Sequence, residues 1–158
     1  MKRILSYLIC ICLLLCPAAV LAEDEPIEIA SREDLEKLTE HPQGSFVLTD
    51  DIDVGAWTPV AFSGTLSGNG HTLYNLTVRA PGAETYTVWD GNRIEYEAVG
   101  AGLFSVVTGA TVRDLRLAGA SVEIETDRDC FVGTLAGIAV DSVFEACTVD
   151  CRDHLTIT

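Results

Sequence analysis

Past residue 22 the sequence is poor in cysteine and in positive charge, and each shortage excludes something. Three of the six cysteines, Cys10, Cys12 and Cys16, fall before that point. Only Cys130, Cys147 and Cys151 follow it, an odd number with no CxxC pair. A small disulfide scaffold is therefore ruled out. Of these, Cys130 and Cys151 are the pair to consider for a single bridge in an oxidising compartment. A metal site from Cys147, Cys151 and His154 would lack a fourth ligand and a familiar spacing. Two of the ten Lys+Arg lie before residue 23, and none of the 24 Asp+Glu does. Eight positive against 24 negative charges leave −16 on the remaining 136 residues. Such a surface repels phosphate backbones and anionic lipid, so nucleic acid and membrane are not expected partners.

The first 22 residues explain the compartment. Lys2 and Arg3 precede an almost unbroken apolar run, Ile4 to Leu21, and Ala22 precedes Glu23-Asp24-Glu25. This is the pattern of a secretory signal peptide over 1–22, cut after Ala22. A retained anchor is the competing reading, but the run is near the lower limit for a span. Lipidation at Cys16 would follow Leu15, too bulky for the usual site. The expected location is extracellular or at the cell surface.

An acidic tail and a short capping helix are expected over 23–43. Ile27-Glu28-Ile29 alternates like a brief strand. A helix is expected from Ser31 to Glu40. Ser31 and Asp34 stand at capping-box spacing, Glu33 and Lys37 at the spacing of an i,i+4 pair, and Leu35 and Leu38 give one apolar edge. Pro42 ends it. So short a helix needs a surface to sit on.

From 44 to 158 the chain reads as strand and turn with a recurring pattern. Gly64-Thr65-Leu66 is followed by Leu73, Leu76 and Val78. Gly102-Leu103-Phe104 is followed by Val112, Leu115 and Leu117. Gly133-Thr134-Leu135 is followed by Phe144, Cys147 and Val149. The closing motifs are offset by 39 residues (73 to 112) and then 32 (112 to 144). No unit can bury its own apolar residues; stacking does it for all of them. The expected fold is all-β: a right-handed parallel β-helix of about three coils. Leu73, Val112 and Phe144 would form one inward column. Leu76, Leu115 and Cys147 would form a second, and Val78, Leu117 and Val149 a third. A β-sandwich is the runner-up, but it would want turns at shorter, regular spacing.

Between the first two units, 84–97 reads as a protruding hairpin turned at Asp90-Gly91. A three-residue loop would put Tyr86, Val88, Ile94 and Tyr96 on one face. Trp89 near Arg93 is a candidate ligand platform. The plainer view is that these aromatics cover the flank of the stack.

The run from Gly44 to Val54, Trp57-Thr58-Pro59-Val60, Phe62-Ser-Gly-Thr-Leu-Ser-Gly-Asn-Gly-His-Thr-Leu73 and Asn75-Leu76-Thr77-Val78 resembles the opening of bacterial GLUG-motif β-helix proteins. Gly102-Leu103-Phe104 and Val132 to Gly137 resemble the repeats that follow there. The resemblance implies a structural or adhesive module and brings no catalytic residue. Such repeats also lie beside metallopeptidase domains, but this chain has no HExxH.

Other chemistry is weak. Asp50, Asp51 and Asp53 could supply oxygens to calcium, although Asp at a strand end more often bonds turn backbone. His71 sits in a Gly-Asn-Gly-His turn. Asn75-Leu76-Thr77 matches a glycosylation acceptor, uninformative in a bacterium. The sequence therefore predicts no catalytic, cofactor or metal residue, and no enzyme. It predicts a secreted or surface module, with a host or cell-surface glycan or protein as partner. The competing class is a truncated polysaccharide lyase or hydrolase-like β-helix. A third reading is the N-terminal fragment of a larger surface protein. His154 to Thr158 reads as a strand with nothing over it, an open edge through which copies could self-associate.

Overall fold

The computed structural model describes residues 25–89, 95–150 and 155–157. The expected leader 1–22, the hairpin tip with Arg93 and Ile94, and Cys151 and His154 lie outside them, so the Trp89–Arg93 platform and the Cys130–Cys151 bridge do too.

The described chain is mostly β, with parallel sheets. β1 (Ile27–Ile29), β2 (Ser45–Leu48) and β3 (Ile52–Asp53) form a partial opening tier. Tier one holds β4 (Val60–Phe62), β5 (Thr65–Ser67), β6 (Thr72–Tyr74) and β7 (Thr77–Val78). A hairpin of β8 (Thr85–Trp89) and β9 (Glu95–Ala101) follows. Tier two is β10 (Phe104–Thr108), β11 (Thr111–Arg113), β12 (Arg116–Ala118) and β13 (Ser121–Ile124). Tier three is β14 (Cys130–Val132), β15 (Ala136–Val140), β16 (Val143–Glu145), β17 (Thr148–Asp150) and β18 (Leu155–Ile157). The sheets run β1-β2-β5-β11-β16, β3-β6-β12-β17, β7-β13-β18, β4-β10-β15 and β8-β9-β14. Every ladder is parallel except β8 with β9.

Tier two shows why these residues form these elements. Strands of three, three and four residues alternate with two-residue corners, Asp114-Leu115 and Gly119-Ala120, after an opening corner Gly109-Ala110. The first corner residue is left-handed each time, with φ of 53°, 63° and 62° for Asp114, Gly119 and Gly109. Gly and Asp tolerate that region best. The second corner residue turns inward, and Ala110, Leu115 and Ala120 are buried. With the strand centres Val112, Leu117 and Val122 this gives buried side chains alternately two and three residues apart. The apolar period is therefore five residues.

That period corrects the expected columns. Val112 faces Phe144, and Leu117 faces Val149, as the 32-residue offset predicts. The first unit is out of step. Leu73 pairs with Leu117 rather than Val112, and Val78 with Val122 rather than Leu117. Leu76 takes the place opposite Ala120, one residue before the Thr77–Ser121 pair, and not opposite Leu115. Val112 meets Leu66. The offset is thus 44 residues (73 to 117), not 39. The slip is one apolar period of five residues; the four-residue corner 68–71, against two at Asp114-Leu115, changes the offset only from 46 (66 to 112) to 44. Gly102 does lie over Gly133, where a side chain on Gly102 would come within 2.2 Å of the Gly133 carbonyl. Gly64 is not their counterpart; it stands one residue before the Thr65–Thr111 pair.

The core runs up the middle of these tiers. Phe46, Leu66 and Val112 are buried in one column, and Ile52, Leu73 and Leu117 in another. Phe62 stacks on Phe104 with ring centres 4.9 Å apart and meets Phe46 at 6.1 Å. Full burial of each such side chain contributes about 1.5–3 kcal/mol.

The opening end is covered. The expected helix Ser31–Glu40 is instead a 3-10 turn, Asp34–Glu36, running into one α-turn, Lys37–Glu40. Its apolar edge behaves as expected: Leu35 and Leu38 are fully buried. The Ser31 hydroxyl accepts the Asp34 N–H, and the Asp34 carboxylate reaches back to the Ala30 N–H, one residue before the expected partner. Lys37 pairs with Asp34 at 2.6 Å rather than with Glu33. The tighter 3-10 turn brings i and i+3 together.

The hairpin has Trp89 opposite Glu95, a register two residues away from the one that a three-residue loop would set. The alternation is kept, with Tyr86 opposite Ala98 and Val88 opposite Tyr96. The far half of β9 does not protrude. Val99 to Ala101 pair with β14, and Ala98, Val99 and Ala101 are buried.

Candidate functional site

Three places merit attention. The first is the Asp cluster at β3 in the opening tier. The Asp50 carboxylate accepts the Asp51 N–H at 2.8 Å. Asp51 accepts the Thr72 N–H at 2.7 Å and stands 3.5 Å from His71 Nδ1. These carboxylates are spent on turn backbone, as Asp at a strand end usually is. Asn69 donates to the Leu48 carbonyl across the same corner. Among the described residues no group of three or more His, Cys, Asp or Glu is placed to hold a metal ion.

The second is a groove of about 860 Å³ where the cap, tier one and β8 meet. Trp57, Arg79, Tyr86 and Ser105 line it, with Arg32 and Glu36 at the cap side. Arg32 is committed to structure. It donates to the carbonyls of Val54 at 2.8 Å and Ala56 at 3.2 Å, and it pairs with Glu36 at 2.7 Å. Its guanidinium lies 4.9 Å from the centre of the Trp57 ring, a favourable cation–π placement. The Trp57 indole N–H donates to the Leu103 carbonyl at 2.8 Å and ties tier one to tier two. Trp57 is thus a wall rather than a free contact; it is buried. Tyr86 and Arg79 are the more open groups. Arg79 reaches Glu123 at 3.2 Å with both side chains in solvent. The groove offers a phenol and a guanidinium beside an aromatic wall, while the Ser105 hydroxyl is buried. That is recognition chemistry for a polar, ring-bearing ligand rather than a nucleophile with its base. The sequence singled out Trp57 only as part of the family-like run. Arg32 gave no signal, because its partners are carbonyls 22 and 24 residues away.

The third is the tier-three end. Phe144 and Val149 sit in the expected inward columns but are 38% and 42% exposed. Cys147, expected to be buried, packs against the core while remaining partly open. Its thiol lies 3.5 Å from the Val112 carbonyl. Cys130 is also a free thiol, and burial pushes its pKa up, with Arg128 working the other way.

No family model matches the chain, and no solved structure matches it. Halomucin of Haloquadratum walsbyi is similar to it at 31% identity over 153 aligned residues. The alignment takes in 84% of this chain and 2% of halomucin, so the chain spans a small fraction of that relative. The relative is archaeal, so it lends no weight to a bacterial source.

Proposed function

We infer that the chain is an extracellular or cell-surface, non-enzymatic module, structural or adhesive, built as a right-handed parallel β-helix like the GLUG-motif proteins it resembles. The observation that carries this reading is the unbroken parallel register of Phe46, Leu66, Val112 and Phe144 across successive tiers. A stack of that kind is held by neighbour-to-neighbour contacts and suits an extended display surface. The turn carboxylates act as corner braces, which also favours a scaffold. The likeness to halomucin is compatible with a surface structural module. For an adhesive role, this groove is the place where a glycan would sit, its ring against Tyr86 and its hydroxyls on Arg79.

The test is a glycan and mucin binding screen on residues 23–158, run beside a polysaccharide-degradation assay. Binding that is lost in Tyr86→Ala and Arg79→Ala, with the melting curve unchanged, supports adhesion through the groove. Release of reducing or unsaturated sugar ends would overturn the non-enzymatic reading.

A further inference from the structure

We propose that Asn75 is a modification site: its side-chain amide accepts an N-linked glycan during export and carries it at an outer corner of tier one. The proposal rests on the extracellular or cell-surface reading and does not depend on any ligand for the groove.

The fold of this corner presents the acceptor. β6 ends at Tyr74 and β7 begins at Thr77, so Asn75-Leu76 is a two-residue corner of the kind seen in tier two. Asn75 takes the left-handed place, with φ of 58°. Leu76 turns inward and is fully buried. Asn75 is exposed and Thr77 is half-buried. The acceptor pattern needs an amide and a hydroxyl two residues apart and tolerates almost any residue between them. This corner sends the tolerated residue into the core and keeps the two that matter on the outside.

The tiers on either side leave room. Tyr74 pairs with Ala118, so the corner Gly119-Ala120 of tier two lies next to Asn75. Gly119 has no side chain there, and Ala120 is buried. Tyr74 also pairs with Asp53, so the neighbouring corner of the opening tier is Val54-Gly55. Val54 is buried and Gly55 is bare. Even a Cβ at Gly119 would stand 3.5 Å from Asn75 Oδ1, and one at Gly55 would meet nothing within 4 Å. Neither neighbour sends a side chain outward at this corner. A bulky group on Asn75 therefore needs no rearrangement of the stack, as a surface glycan requires.

The amide is also unspent. Asn69 uses its Nδ2 to brace the stack, donating to the Leu48 carbonyl at 3.3 Å. The Asn75 side chain makes no hydrogen bond among the described residues. A left-handed corner alone does not call for an amide: Asp114, Asp141 and Gly119 hold the same conformation elsewhere. Tyr74, next to Asn75, is 37% exposed. Its ring is a surface that the first sugar on Asn75 would cover, apolar body against sugar and hydroxyl to water.

The donor is a sugar carried on a lipid-linked diphosphate. Asn75 Nδ2 gives up one proton and bonds to the anomeric carbon of that sugar. The bond from the same carbon to the diphosphate breaks, and the lipid diphosphate leaves with the bonding electrons. The leader expected over 1–22 would bring the chain to the membrane where such a donor resides. A bacterial source would empty the acceptor pattern of meaning, but the relative found for the chain is archaeal and gives that source no support.

Peptide mass spectrometry of the chain made by its native cells, after cell fractionation, tests this. Trypsin releases 38–79, which holds Asn69 and Asn75. Fragmentation should place a mass shift of one or more whole sugar residues on Asn75 and none on Asn69. Asn75→Asp, which keeps a corner residue of the kind found at 114 and 141, should lose the shift. Thr77→Ala should lose it and Thr77→Ser should keep it, because the hydroxyl is what the transfer reads. Should a variant fail to fold, the parent peptide decides, since the position of the shift is read on it alone. An exported chain that is bare at Asn75, a shift carried by Asn69 instead, or a shift indifferent to Thr77→Ala would each overturn the site. A bare chain retained inside the cell would overturn the export reading and the site together, and the fractionation tells that failure from the others.

Discussion

Tiers two and three have the same grammar and different fates. Val112 and Leu117 are sealed; Phe144 and Val149, which pair with them directly, are more than a third exposed. Inward direction alone does not bury a side chain here. Burial needs a layer on both sides, and among the described residues tier two has one where tier three does not. Stability should then be graded along the stack, highest in the sandwiched tier and lowest at the open face.

The most forceful way to break that comparison is truncation in the ring stack. Phe104→Ala should cost about 3–5 kcal/mol, because it leaves a cavity between Phe62 and tier three. Phe144→Ala should cost under about 1.5 kcal/mol, since solvent already reaches the site. Equal losses in chemical denaturation would end the graded picture. Next comes the covered end. Leu38→Ala should destabilise by about 2–4 kcal/mol and expose the opening tier to amide exchange. A loss as small as that of Phe144→Ala would mean the cap covers nothing of consequence.

A smaller effect runs the other way. Ala146 holds φ of 52° at the tier-three corner where tier two has Asp114 at 53°. Ala146→Gly relieves a left-handed alanine and should stabilise by about 0.5–1 kcal/mol. A thermal shift downward would refute it. The mildest test is acid. The Lys37 ammonium, the Ser31 hydroxyl and the Ala30 N–H hold the Asp34 carboxyl down to about 2, from an ordinary 3.8. Its folded pKa is depressed, so its contribution is complete above about pH 4 and is lost as pH falls through 2. Asp34→Asn should remove that part of the acid transition; an unchanged acid limb would show the cap to be indifferent to this group.

The sequence pattern carried much of this and stumbled for a definite reason. Val112, Leu115 and Leu117 match Phe144, Cys147 and Val149 because both tiers use two-residue corners, and counting suffices. The first unit slipped because the pattern repeats itself every five residues. Leu73, Leu76 and Val78 fit Val112, Leu115 and Leu117 as well as they fit their true partners Leu117, Ala120 and Val122. The pairing of Leu66 with Val112 separates the two alignments, and that contact across 46 residues leaves no trace in the apolar spacing. Leu35 and Leu38 marked the cap correctly, while the 3-10 turn went unseen because i,i+3 and i,i+4 spacings overlap in so short a segment. At the groove, Tyr86 was legible as an aromatic in a hairpin. Arg32 was not, since its importance comes from carbonyls delivered by a later turn of the chain.

The corner at 68–71 and the outer part of the hairpin, 85–89 with 95–97, share a lesson about growth. Both add residues between strands that remain in register with tiers above and below. The extra length is shed sideways, outside the cross-section. A lineage built on this plan can vary its outer decoration by insertion at bends, and selection on what the exterior touches can proceed without renegotiating the interior.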